Sequence, residues 1–304
     1  MMPMLQDLEI TSASPPAFEV MRGQGEGVGR SNPVIFASPH SGRFYPADMR
    51  AAVDGLDLRR SEDALVDQLI SAAPGLSIPL IQAHVGRAYL DVNRDCRDLD
   101  PDMFEVPLSD LLVQASPHVA AGFGIIARHV GQGQALYARK LTLAEAQARI
   151  DYVYRPYHAA LQTLIDEALA HHRCAILIDW HSMPARAVAG PSASRACDFV
   201  LGDRFGMACD IRLTRFVESE LEAMGYRVQR NLPYAGGHTT ARYGKPGQGI
   251  NALQVEINRA LYLDEDRITP NSGFDDLKAD LETLTKRLAS NAWLDLKRAP
   301  VQSG

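Results

Sequence analysis

Residues 33–42 read Pro33-Val34-Ile35-Phe36-Ala37-Ser38-Pro39-His40-Ser41-Gly42, an apolar run that stops at a histidine and a Ser-Gly turn. A run this apolar suits a strand buried on both faces, as in sheets covered by helices on each side. The pattern recurs: Ala175 to Asp179 leads into Trp180-His181-Ser182, and Ala252 to Asn258 is an apolar stretch interrupted by Glu256. Further strands are expected at Ser77 to Ala83, Asp198 to Leu201 and Tyr226 to Gln229.

Between these runs the apolar spacing changes to three or four residues, which marks helices. Ser61 to Ala73 is expected as one, with Ser61 as N-cap and Leu65, Leu69 and Ile70 as its stripe. Leu143 to His172 keeps the same spacing from Ile150 through Leu169, and Pro156 should kink or divide it. Phe274, Leu277, Leu281, Leu284 and Leu288 mark a last helix packed on the core. Strands alternating with helices predict an α/β fold, and 304 residues fit one domain spanning 1–304. Asp95 to Arg139 and Ala185 to Arg195 lack periodicity and are expected as loop insertions near an active site. The first dozen residues and the last several read as loose termini.

Composition narrows the function. The chain is 46% hydrophobic and 22% charged, which is ordinary for a globular protein. A net charge of -6 provides no field to attract nucleic acid or an anionic membrane, so a small anionic substrate needs local arginines. Neither a signal peptide nor a membrane span is visible, and a cytoplasmic enzyme is expected. Cys96, Cys174, Cys197 and Cys209 have no CxxC spacing and read as buried apolar residues rather than disulfides or thiolate ligands.

The chemistry gathers at strand ends. His40 follows one buried run and His181 stands just past the end of another, at the edge where open α/β sheets bind ligands. Two histidines with nearby carboxylates suit a catalytic zinc site, which takes three protein ligands and leaves a position for water. Glu256 can then serve as general base. The acidic ligand is open among Asp63, Glu62, Asp91 and Asp179; Asp63 is favoured, although a first-turn acid also suits a helix dipole. Asp179 can instead orient His181. Val85-Gly86-Arg87-Ala88-Tyr89-Leu90-Asp91-Val92-Asn93-Arg94-Asp95 offers Arg87 and Arg94 as carboxylate clamps beside Asp91 and Asn93, or as internal ion pairs. Pro233-Tyr234-Ala235-Gly236-Gly237-His238-Thr239-Thr240-Ala241-Arg242-Tyr243-Gly244 adds Gly237, His238 and Arg242 as candidates for binding substrate.

Together the stretches ASPHSG, GRAYLDVNRD, DWHS, PYAGGHTTARYG and LQVEINRALYLDE, in that order, resemble the N-formylglutamate amidohydrolases, the deformylases of histidine breakdown. The resemblance covers roughly residues 33 to 290. It implies a three-layer α/β/α sandwich with a mixed central sheet, the phosphorylase/hydrolase-like architecture of zinc peptidases. It implies one Zn2+ held by His40, His181 and an acid that is Asp63 on this reading, with Glu256 as base. Arg87, Arg94 and Arg242 become grips for substrate carboxylates. The His-x-x-Glu pair of zinc carboxypeptidases is absent, since Arg43 stands three residues after His40 and becomes a further contact for an anion.

The implied reaction is hydrolysis of a small anionic N-acyl amino acid, giving formate and glutamate from N-formyl-L-glutamate. Two other readings remain beside it: a zinc amidase or carboxypeptidase acting on peptides or cell-wall fragments, and a ligand-binding relative without activity. Nothing in the sequence specifies an oligomer.

Overall fold

The computed structural model describes residues 15–23, 32–109, 113, 114, 116–131, 133–188, 197–291, 293 and 296. Seven strands form the main sheet: β1 (Phe18–Met21), β2 (Val34–Ser38), β3 (Leu80–Ala83), β4 (Ala175–Met183), β5 (Phe199–Gly202), β6 (Val228–Arg230) and β7 (Ile250–Asn258). Their order across the sheet is β1-β3-β2-β4-β7-β5-β6. The central strands β3, β2, β4 and β7 run parallel, while β1 joins β3 and β5 joins β7 antiparallel, so the sheet is mixed.

Alternation along the central strands sends apolar side chains to both faces, which is why each strand reads as a continuous apolar run. Phe36, Ile178, Trp180, Leu253, Val255 and Ile257 enter one core, closed by the helices Ile211–Ala223 and Phe274–Ser290. Ile35, Ala37, Leu177 and Ala252 enter the other, closed by the helix Arg155–His172. The result is a helix-sheet-helix sandwich.

On the second face the alternation stays regular while the chemistry changes. In β4 the series Ala175, Leu177, Asp179, His181 turns from apolar to ionisable, and in β7 Ala252 is followed by Gln254 and Glu256. All are buried. The carboxyl half of the sheet therefore offers polar groups where its amino half offers core.

Several expectations are revised. β1 carries no strong apolar run and was not expected; it is an edge strand with partly exposed residues. β4 runs through Met183, so His181 lies within the strand, not past its end. The helix expected over Ser61 to Ala73 is reduced to Val66–Leu69, preceded by Leu65 at φ 66°. Ser61 caps nothing there; its hydroxyl donates to the Leu58 carbonyl, and the Asp63 N–H donates to the His40 carbonyl at 2.9 Å. Asp63 thus sits in a turn tied to the end of β2, not in the first turn of a helix. Leu143 to His172 is interrupted not at Pro156 but before it, by a π-helical turn at Ile150–Tyr154 between Leu143–Arg149 and Arg155–His172. Pro156 then falls in the first turn of the second helix, where its missing N–H is tolerated.

Among its described residues the insertion Asp95 to Arg139 contains only short pieces, one of them the helical turn Pro117–Ala120. Of Ala185 to Arg195, residues 189–195 lie outside the described residues, as do the first dozen residues and the last several. All four cysteines are free, and all but the partly exposed Cys96 are buried. No helix among the described residues is long and apolar enough to cross a membrane.

Candidate metal centre

Three donor atoms converge where β2 and β4 reach the carboxyl edge of the sheet. His181 Nδ1 lies 3.1 Å from His40 Nδ1 and 3.0 Å from Asp63 Oδ2, and His40 Nδ1 lies 3.2 Å from the same oxygen. All three side chains are buried. Zinc–nitrogen bonds of about 2.05 Å in a tetrahedron give an edge of about 3.3 Å. This triangle is therefore within a few tenths of an ångström of one face of such a site. Two imidazoles and one carboxylate are also the donor types of catalytic zinc.

The far side of each ring is held by an acid. His40 Nε2 lies 2.7 Å from Asp91 Oδ1, and His181 Nε2 lies 3.1 Å from fully buried Asp179 Oδ2. At His40 the carboxylate on Nε2 fixes the proton there and turns the Nδ1 lone pair toward the centre, while Asp179 faces His181 Nε2 as a charged neighbour. Asp91 is thus committed to orienting His40, and Asp179 lies behind His181, away from the triangle of donors. Glu62 is turned away, accepting from the Tyr45 hydroxyl at 3.0 Å and from Arg59 at 3.2 Å. Among the acids considered from sequence, Asp63 alone reaches the triangle.

Buried negative charge is in excess here. Burial alone would raise the Asp63 carboxyl, but His181 and His40, which donate to it while they carry a proton in place of a metal ion, hold it well below the usual carboxylate range. Burial opposes charge on His181, yet Asp179, Asp63 and Glu256 raise its pKa well above the ordinary value. The centre thus attracts a cation, whether proton or metal. The residues present fit a divalent ion.

Glu256 stands beside His181 as its register partner across the parallel strands β4 and β7. Burial pushes its carboxyl up to about 7, with His181 opposing and Asp63 reinforcing the rise. Gln254 Nε2 donates to Glu256 Oε1 at 2.8 Å, and Gln254 Oε1 accepts from the Gly237 N–H at 2.7 Å. A carboxyl so placed can exchange protons near neutral pH.

A model of the N-formylglutamate amidohydrolase family matches residues 32–263, most of the chain and every residue of this centre. The chain belongs to that family. An N-formylglutamate amidohydrolase from Ralstonia eutropha JMP134 is 39% identical with a TM-score of 0.85, covering 90% of this chain and 98% of that one. The N-formylglutamate deformylases of Pseudomonas aeruginosa and Pseudomonas putida are 29% and 27% identical, covering 77% and 86% of this chain and 83% and 93% of theirs. A gene product of Agrobacterium tumefaciens at 18% identity shares the fold, with a TM-score of 0.61.

In this amidohydrolase the centre opens into a cavity of about 390 Å³ that also takes in Arg87, Asn93, Arg94, Gly237 and Glu256. Arg87 Nη2 donates to Asp91 Oδ2 at 2.7 Å, so it is partly spent on an internal ion pair. Arg94 differs: its Nε and Nη1 donate to the carbonyls of Phe123 and Asn93, neutral acceptors that position the guanidinium without discharging it. Burial lowers its pKa, which an arriving carboxylate would reverse. Asn93 Oδ1 accepts from the Thr239 N–H at 2.7 Å, and its Nδ2 lies 3.2 Å from His181 Nε2. A Cβ at Gly237 would come within 2.6 Å of Asn93 Nδ2, so a larger residue there would displace the Asn93 side chain.

His238, Arg242 and Arg43 do not line this cavity. His238 Nε2 meets the Tyr154 hydroxyl at 3.0 Å, Arg242 lies over the Tyr243 ring, and Arg43 pairs with Asp67. The helix His238–Tyr243 turns the first two away. The cavity instead gains His118, Ser182, Tyr234, Gln254 and Arg259, none of which sequence reading picked out. Ser182 and Gln254 alternate along buried strands and so shared the signal of their neighbours. Arg259 directly follows β7, a cation at the end of a buried strand.

Proposed function

We propose that this family member is a single-domain, zinc-dependent deformylase that hydrolyses N-formyl-L-glutamate to formate and L-glutamate in histidine breakdown. The convergence of His40, Asp63 and His181 beside Glu256 carries the reading. Zinc bound there would supply a Lewis acid and make water acidic enough to ionise near neutral pH. Glu256 takes a proton from the attacking water. The formamide C–N bond breaks, and Glu256 passes that proton to the departing amine nitrogen. Arg94 grips a substrate carboxylate, and Arg87 and Asn93 line the approach.

Metal analysis of the purified protein and formate release from N-formyl-L-glutamate, beside other N-acyl amino acids, test the reading. Glu256→Gln is expected to keep its metal and lose roughly 10²–10⁴-fold in kcat. Full activity in that variant would reject Glu256 as base.

One observation favours a second reading, an amidase for longer peptides: a neighbouring cavity of about 490 Å³ is also lined by Arg60, Pro184 and Arg259. A higher kcat/KM for N-formyl dipeptides than for N-formylglutamate would select it.

A further inference from the structure

Asp63 has two oxygens, and they are used differently. Oδ2 faces the two Nδ1 atoms. Oδ1 accepts from the Ser182 hydroxyl at 3.1 Å and from Arg259 Nη2 at 3.2 Å, filling both of its lone-pair directions. Arg259 Nε also donates to Ser182 Oγ at 2.9 Å, closing a ring of hydrogen bonds through Arg259, Ser182 and Asp63. Its Nη2 further donates to the Glu62 carbonyl at 2.6 Å and its Nη1 to the Arg60 carbonyl at 3.3 Å. Arg259 thereby fastens the turn bearing Asp63 to the end of β7, and all three side chains are buried.

We infer that Arg259, acting with Ser182, is a positioning residue that restricts Asp63 to one-oxygen ligation and so keeps a place open for water. This rests on the metal reading above. A carboxylate free at both oxygens can swing and chelate through both, which fills the position a catalytic site must leave vacant. The planar fork of arginine suits the task, because the parallel N–H groups of Nε and Nη2 on one edge reach Ser182 and Asp63 at once. Lysine carries the same charge as a single point and cannot span both.

The test uses Co2+ in place of zinc, since its visible absorption is strong in four-coordinate sites and weakens as ligands are added. Wild type, Ser182→Ala, Arg259→Lys and the double variant Ser182→Ala/Arg259→Lys are loaded with one equivalent, and affinity is read by chelator competition. None of these substitutions changes the net charge. The expected result is a 10- to 100-fold weaker affinity for Arg259→Lys and a loss of absorption intensity that is largest in the double variant. Ser182→Ala, the mildest change, guards against a folding defect and should show the same spectral trend. Wild-type affinity and spectrum in folded Ser182→Ala and Arg259→Lys would overturn the positioning role while leaving the metal site intact. Failure of the wild type to bind Co2+ would overturn the metal reading and this inference with it.

Discussion

The Nδ1 atoms of His40 and His181 face each other at 3.1 Å, with a carboxylate beyond each ring. Two unprotonated nitrogens at that separation repel unless a cation or proton lies between them. Burial keeps water from relieving the repulsion. The pair therefore makes sense as half of a cation site.

Asp91→Asn is expected to weaken metal binding 10- to 100-fold, because a neutral amide in place of the carboxylate now 2.7 Å from His40 Nε2 would hold that proton without a charge. Competition with a chelator measures this. Wild-type affinity would show that His40 needs no such support.

Asp63 and Glu62 are adjacent in sequence but point to different surroundings, and paired variants separate them. Asp63→Asn should lose stoichiometric metal. Glu62→Gln should retain it, since that carboxyl is engaged by Tyr45 and Arg59. Metal-to-protein ratios after dialysis decide the matter, and the reverse pattern would move the ligand to Glu62.

Arg94→Ala is expected to raise KM with little change in kcat if Arg94 grips substrate, as proposed, without touching the reacting bond. Loss of a charged hydrogen bond of about 1.5–3 kcal/mol corresponds to roughly a 10- to 150-fold rise. A drop in kcat at constant KM would instead place Arg94 at the transition state.

Acid should destabilise the fold through His158. Burial pushes its pKa down to about 3, with Nδ1 facing the Tyr243 hydroxyl at 2.8 Å and Nε2 facing the Val92 carbonyl at 2.9 Å. A histidine with a depressed folded pKa favours the unfolded chain once protons bind. The neutral ring's contribution is intact above the unfolded value near 6.5 and is lost as pH falls from there toward 3. From pH 7 to pH 5 this group should cost about 2 kcal/mol. Urea unfolding of wild type and His158→Gln at both pH values tests it. A difference between the two proteins that stays constant with pH would exclude His158 as the source.

Much of the fold was legible because the central strands are buried on both faces, so their composition alone marks them. β2, β4 and β7 stand out as the apolar runs from Pro33 to Ser38, Ala175 to Asp179 and Ala252 to Asn258, inside the strands Val34–Ser38, Ala175–Met183 and Ile250–Asn258. β1, at the edge and partly exposed, carries no such mark. Ser61 to Ala73 has helical spacing, yet the buried ties of Asp63 to the His40 carbonyl, Ser182 and Arg259 hold its first part in a turn. Tertiary contacts outweighed a propensity worth only tenths of a kcal/mol per residue.

The site divides the same way. Sequence by itself singled out His40, His181 and Glu256, because an ionisable residue in or after a buried strand must be satisfied there or do chemistry. Tertiary structure alone decided that Asp63 rather than Asp91, Asp179 or Glu62 reaches the two Nδ1 atoms, that His238 and Arg242 turn away, and that Arg259 fastens Asp63. Those outcomes depend on which oxygen or nitrogen faces which within about 3 Å, and residues 40, 63, 181 and 259 acquire that relation only when the sheet has brought their strands together.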